Sequence, residues 1–185
     1  MHDLKDCLIV LDTLGTRITS GIIGIYACRF DLDRPGAPAL ELQLHIPSSS
    51  NTVVGRTCDA DTLEWWSSRP DYDEVFGRPG ISLQEALAAL TRFYDGAETL
   101  WLYGGTADTG ILAHAYEQLN CRPPWPYWAV KDGRTMADIS CWLNRRHVEV
   151  TPRGDTTLDT LRKRRLALQV AYNSIVAHAQ IESAA

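Results

Sequence analysis

At 185 residues, 45% of them hydrophobic, the chain has the size and apolar content of one ordinary domain spanning 1–185 with a substantial core. Its formal charge of -5 argues against a broad nonspecific grip on nucleic acid, although a cleft holding one strand end need not be basic overall. No run approaches the roughly 18 to 20 apolar residues of a membrane span. The opening MHDLKDCLIVLD carries charges where a secretory signal is apolar, so a cytoplasmic protein without membrane contact is expected. Five scattered cysteines (Cys7, Cys28, Cys58, Cys121, Cys141) form no CxxC pair and no zinc-type spacing with histidine, which predicts reduced, mostly buried thiols.

In chain order, the apolar run Cys7 to Leu11 between Asp6 and Asp12 predicts a buried central strand. Ile18 to Phe30 is β-rich, 31–38 is a turn with proline and glycine, and Ala39 to Ile46 alternates apolar with polar, giving an antiparallel three-stranded start. Ser48 to Asn51 reads as a loop, and Asp59 as the cap of a short helix carrying Leu63, Trp65 and Trp66. The stretch 69–80 is broken by Pro70, Gly77, Pro79 and Gly80. Ser82 with Glu85 three residues on then forms a capping box for a helix Leu83 to Tyr94. Thr99 to Tyr103, the pair Gly104-Gly105 and a helix from about Ala107 to Leu119 make one βα unit. Pro123, Pro124 and Pro126 interrupt the chain around Trp125, Tyr127 and Trp128. A short helix Thr135 to Leu143 and a long one from Leu158 to about Ile181 complete an α/β order.

Several folds share that order, so motifs must choose among them. Leu11-Asp12-Thr13-Leu14-Gly15-Thr16 resembles the first motif, D-x-E-T-x-G, of DEDD-superfamily 3′-5′ exonucleases, in particular phage and prophage exodeoxyribonuclease VIII-like and mycobacterial exoribonuclease-like domains. The segments 61–66 (DTLEWW), 103–108 (YGGTAD) and 124–128 (PWPYW), followed by Arg134-Thr135, extend the resemblance over nearly the whole chain. It implies a ribonuclease-H-like mixed sheet, an antiparallel three-stranded start followed by parallel βα units, flanked by helices. It also implies four carboxylates converging on two divalent ions that activate water for phosphodiester cleavage.

Carried over residue by residue, the resemblance places Asp12 at the family's glutamate and Val10 where the first aspartate belongs, while Asp108 matches the second-motif aspartate. The third motif, H-x-A-L-x-D-A, falls on 155–161, with Asp155 in place of the histidine and Thr160 in place of the aspartate. Asp159 lies one residue away, about 100° around a helix. The catalytic candidates are therefore Asp12, Asp108 and Asp155, and the metal candidates Asp12 and Asp108. Each also has a structural reading: Asp12 as a strand-end turn cap, Asp108 as a helix N-terminal acid, Asp155 and Asp159 as cap and first-turn acids.

Trp65, Trp66, Trp128 and Arg134 are candidates for a nucleic-acid or partner surface, since stacking on aromatics tolerates any base, though tryptophans in a domain of this size mostly pack. The run 162–165 (RKRR) could serve as a phosphate-binding patch, but it points around most of a helix, so only part of it can face one ligand and a solvated face is expected. His45, His114, His147 and His178 show no metal spacing. Two functions compete. In the first, a catalytically degenerate nuclease domain, phage or mobile-element derived and without cofactor, binds a protein partner as inhibitor or decoy, or binds nucleic acid. In the second, a divergent Mg²⁺- or Mn²⁺-dependent 3′-5′ exonuclease cuts single-stranded DNA or RNA. The resemblance is also compatible with a homodimer.

Overall fold

The computed structural model describes residues 4–104, 106–145 and 152–183. Its frame is a five-stranded mixed sheet centred on β1 (Asp6–Thr13). β2 (Ile22–Phe30) pairs antiparallel with β1, and β3 (Leu40–His45) antiparallel with β2. On the other side β4 (Thr99–Leu102) and β5 (Val130–Asp132) run parallel to β1, giving the order β3-β2-β1-β4-β5. This is the antiparallel start and parallel continuation expected from the sequence.

β1 is apolar on both sides because helices cover both faces of the sheet. Cys7 and Ile9 meet α4 (Leu83–Tyr94) and α5 (Thr106–Gln118) through Leu87, Leu90, Ile111 and Leu112. Leu8 and Val10 share the opposite core with Tyr26, Phe30, Trp101 and Tyr103, closed by Leu161 and Leu168 of α7 (Thr157–Ser183). α6 (Gly133–Asn144) packs along α7. The expected capping box opens α4: Ser82 Oγ accepts from Glu85 N–H, and the Glu85 carboxylate accepts from Ser82 N–H. Among the described residues no helix is long and apolar enough to cross a membrane.

Several local expectations are corrected. Ser48 to Asn51 is not a loop but most of α1 (Ser48–Val53), held by Asn51, whose buried amide bonds both the N–H and the C=O of Ile22 at 2.9 Å. Asp59 precedes α2 (Ala60–Ser67) without a side-chain cap bond; its carboxylate instead accepts from Thr16 N–H at 3.4 Å. The interrupted stretch 69–80 contains α3 (Tyr72–Gly77), whose Tyr72, Val75 and Phe76 pack on Leu14, Ile23 and Trp66. The strand expected from Ile18 begins at Ile22, and β5 has no sequence signal because three residues are too few for a periodicity. Only Cys7 and Cys28 are buried; Cys58 and Cys121 are exposed. Gly105, half of the expected glycine turn, lies outside the described residues.

Candidate functional site

The parallel pairing of β1 and β4 puts their C-terminal ends on one edge of the sheet, where Asp12 and Asp108 both belong. Asp12 projects from β1 on the same face as Val10 and is only 7% exposed. Its carboxylate accepts a forked hydrogen bond from Thr157 Oγ1, at 2.8 and 3.0 Å, which fastens the end of β1 to the first turn of α7. Gly24 faces it across the ladder, and a Cβ there would stand 3.1 Å from Asp12 Oδ2 and 2.8 Å from the Tyr26 ring, so glycine makes the room. Burial pushes the Asp12 carboxyl up to about 6, although Thr157, Tyr26 and Arg69 all favour its charged form. A cleft of about 410 Å³ opens alongside, lined by Tyr26, Gln43, Asp71, Glu74, Arg78 and Thr157 among others.

Val10, two residues earlier, is 5% exposed and sits in the core with Tyr26, Tyr103 and Leu161. At the start of α7 the hydroxyl of Thr160, itself buried, accepts from Gly154 N–H at 2.9 Å. The cap of this helix is Thr156, whose Oγ1 accepts from Asp159 N–H at 3.1 Å. Asp155 stands exposed just before it and Asp159 is a first-turn acid, so the cap read onto Asp155 belongs one residue later.

Asp108 lies in the first turn of α5, folded back over Gly104: a Cβ on that glycine would meet Asp108 Cγ and Oδ2 at 2.9 Å. Burial raises its carboxyl above the ordinary range, partly offset by the guanidinium groups of Arg164 and Arg134. Arg164, expected with its run to lie on a solvated face, is instead buried. It is 8% exposed, its guanidinium carbon lies 5.1 Å from the centre of the Tyr103 ring, and its buried Nε has no hydrogen-bond partner. Burial lowers its pKa, and Asp108 is the first of the groups that hold its charge in place. The signal was present in the run 162–165: four consecutive cations cannot all face solvent from a helix that packs on a sheet. Arg162 does face outward, onto Glu41 at 2.8 and 2.9 Å, and Lys163 reaches the Arg153 carbonyl at 3.1 Å.

The expected surface residues separate. Trp66 is buried at 3% and donates its indole N–H to the Thr13 carbonyl at 3.0 Å, so it is packing rather than surface. Trp65 is 49% exposed with Arg69 stacked above it at 5.1 Å. Trp128 is 66% exposed, edge to face with Tyr127. Arg134 is exposed at the start of α6, whose cap is Asp132 through Thr135 N–H at 3.1 Å. His45 contacts Gln43 and Arg78, and His114 contacts Arg56; His147 lies outside the described residues. Among the described residues no three His, Cys, Asp or Glu side chains gather in a way that would hold a metal ion.

Sheet order and flanking helices together define an α/β domain of the ribonuclease-H-like class. The RNase domain of yeast Pop2 superposes with a TM-score of 0.60 at 14% identity, covering 94% of this chain and 79% of that one. An exonuclease I from Methylocaldum szegediense gives 0.54 at 15% identity, covering 94% of this chain, and the exonuclease I of an SSB/exonuclease I structure with the inhibitor CFAM gives 0.58 at 12%, covering 92%. This chain spans only 39% and 41% of those two proteins, and at such identities the likeness is one of fold. The sequence profile of the 3′-5′ exoribonuclease Rv2179c-like domain matches residues 5–181, and the chain belongs to that family. No curated protein sequence matches it.

Proposed function

We propose that this chain is an exonuclease-like domain that has given up two-metal hydrolysis and acts by binding, with single-stranded nucleic acid as its ligand. The carrying observation is the pair Val10 and Asp12. The family implies divalent metal ions, and a pair of them needs several converging oxygen donors. Val10 offers no donor and is packed in the core, and Thr160 has its hydroxyl engaged with Gly154 N–H. Asp12, the carboxylate at the C-terminal end of β1, is buried and accepts from Thr157. The donor set of the described residues therefore does not fit the two ions, and the residues do structural work in their place: Thr157 and Asp12 tie α7 to the sheet.

A second reading, a protein partner engaged as an inhibitor or decoy by a domain of phage or mobile-element origin, draws support from the exposed aromatics Trp128, Tyr127 and Trp142, which are 66%, 85% and 79% exposed. The test common to both is calorimetric titration with Mn²⁺ beside degradation assays on labelled single-stranded DNA and RNA, with Asp108→Ala as control. Absence of saturable metal binding and of degradation is expected. Degradation that requires Mn²⁺ and disappears in Asp108→Ala would overturn the proposal.

A further inference from the structure

Arg164 invites the question of why a guanidinium should be buried next to a family carboxylate position. A buried cation without a close acceptor is costly, and a structure retains one where something compensates it or where a ligand completes it. Three elements bring charge to this place. Tyr103 at the end of β4 carries Arg164 on its ring, and its OH donates to the Arg164 carbonyl at 3.0 Å, fixing that turn of α7. The same ring lies against Gly133, where a Cβ would stand 2.5 Å away, so the start of α6 and its Arg134 are held alongside. Lys163 Nζ on the Arg153 carbonyl and Gly154 N–H on Thr160 fold 153–154 back over the first turns of α7, bringing Arg153 to the same end. Arg134 and Arg153 are exposed, and both act on Arg164 as like charges, so the three guanidinium groups share one electrostatic neighbourhood. Against them stand the carboxylate of Asp108, which acts on Arg164, and that of Asp132 at the α6 cap, which acts on the Tyr103 ring. The buried Arg164 Nε has no hydrogen-bond partner, whereas Arg162 two residues earlier is paired with Glu41 through Nε and Nη2.

We infer that Arg164, Arg134 and Arg153 form a metal-independent receptor for a phosphate group of single-stranded nucleic acid, with Asp108 as the counter-ion that a bound phosphate displaces. A guanidinium fork matches phosphate geometry, and a fixed cation can meet the charge that metal ions meet in a hydrolytic site. No bond is made or broken. The inference rests on the binding reading above and adds which residues bind and what they recognise. It also reverses the ordinary expectation for Asp108: a carboxylate that holds a metal helps a phosphate to bind, whereas a carboxylate that merely balances arginines competes with it.

The experiment is fluorescence anisotropy with a labelled single-stranded oligonucleotide in EDTA, with inorganic phosphate as competitor. Binding should persist in EDTA, weaken by about tenfold or more in Arg164→Gln, and tighten several-fold in Asp108→Asn. Arg134→Ala and Arg153→Ala change exposed side chains and should each weaken binding and reduce its salt dependence by about one counter-ion. If Arg164→Gln does not fold, as near-ultraviolet circular dichroism would show, those two variants and Asp108→Asn decide the matter. Weaker binding in Asp108→Asn, no change in the arginine variants, or no oligonucleotide binding in EDTA would each overturn the inference. Mn²⁺-dependent degradation in the same samples would instead overturn the binding reading itself, so the two failures are distinguishable.

Discussion

Asp12 and Asp108 stand at the same edge of one sheet, yet they meet burial in different ways. Asp12 is answered by neutral donors: a threonine hydroxyl at 2.8 and 3.0 Å and the phenol of Tyr26, with Arg69 farther off. Asp108 is answered by charge, from Arg164 and Arg134. Hydroxyl groups donate to an acid in either protonation state, so the Asp12 contact survives as a structural link when the carboxyl is neutral. Arginines favour only the ionised form, so the Asp108 end remains an electrostatic device. Asp12 thus fastens β1 to α7, while Asp108 sits in the field of two arginines.

The sharpest way to break this comparison is Val10→Asp, which returns a carboxylate to the motif. If the β1 end has been absorbed into the core, the new acid lies among Tyr26, Tyr103 and Leu161, and the variant should lose about 3 kcal/mol or more at neutral pH without gaining nuclease activity. Chemical denaturation and the Mn²⁺ degradation assay check the two halves. A well-folded Val10→Asp that cuts single-stranded substrate would mean the site is one residue from active.

Next in size is Asp12→Asn. The folded carboxyl titrates at about 6 against 3.8 for the free group, so between those values the folded state binds more protons than the unfolded one and stability falls as pH rises. The penalty is complete above about 6 and amounts to ~3 kcal/mol. Asp12→Asn should therefore raise the melting temperature by roughly 5 to 10 °C at pH 7.5 and hardly at all at pH 4, and should flatten the wild-type decline between them. Equal melting temperatures at pH 7.5 would mean that the buried acid is better solvated than its 7% exposure indicates. Thr157→Val comes third and has the opposite sign. Removing one of the two hydroxyl donors to a buried charge should cost about 1.5 to 2 kcal/mol at pH 7.5 and less at pH 4, where the acid is neutral.

β1 and β4 were legible in the sequence because they are apolar: Cys7 to Leu11 and Thr99 to Leu102 sit where their runs of Leu, Ile, Val and Trp put them. The capping box at Ser82 was legible because it is purely local. α1 was not, since a serine run becomes helical here only through the tertiary bonds of Asn51 to Ile22. At the candidate site the burial of Val10 could be read from its place in the apolar run. The partners of Asp12 and Asp108 could not: Thr157 is 145 residues from Asp12, and Arg164 is hidden in a run whose neighbours Arg162 and Lys163 do face solvent.

The smallest effect is the one that most directly separates the two carboxylates. Asp108 is raised in the same sense as Asp12, so its charge also weighs against the fold as pH rises. It keeps some exposure, however, and two arginines return part of that cost, so Asp108→Asn should change stability by less than Asp12→Asn does. Its signature is dependence on salt. A carboxylate balanced by partly exposed guanidinium groups is screened within a Debye length of about 10 Å at 0.1 M, so the difference between wild type and Asp108→Asn should change over a roughly twenty-five-fold range of ionic strength, from about 0.02 to about 0.5 M NaCl. The difference between wild type and Asp12→Asn should stay constant over that range, because its close partner is a hydroxyl. Melting curves of both variants across the salt series test this, and parallel responses would show that the two ends of the sheet edge work as one electrostatic unit.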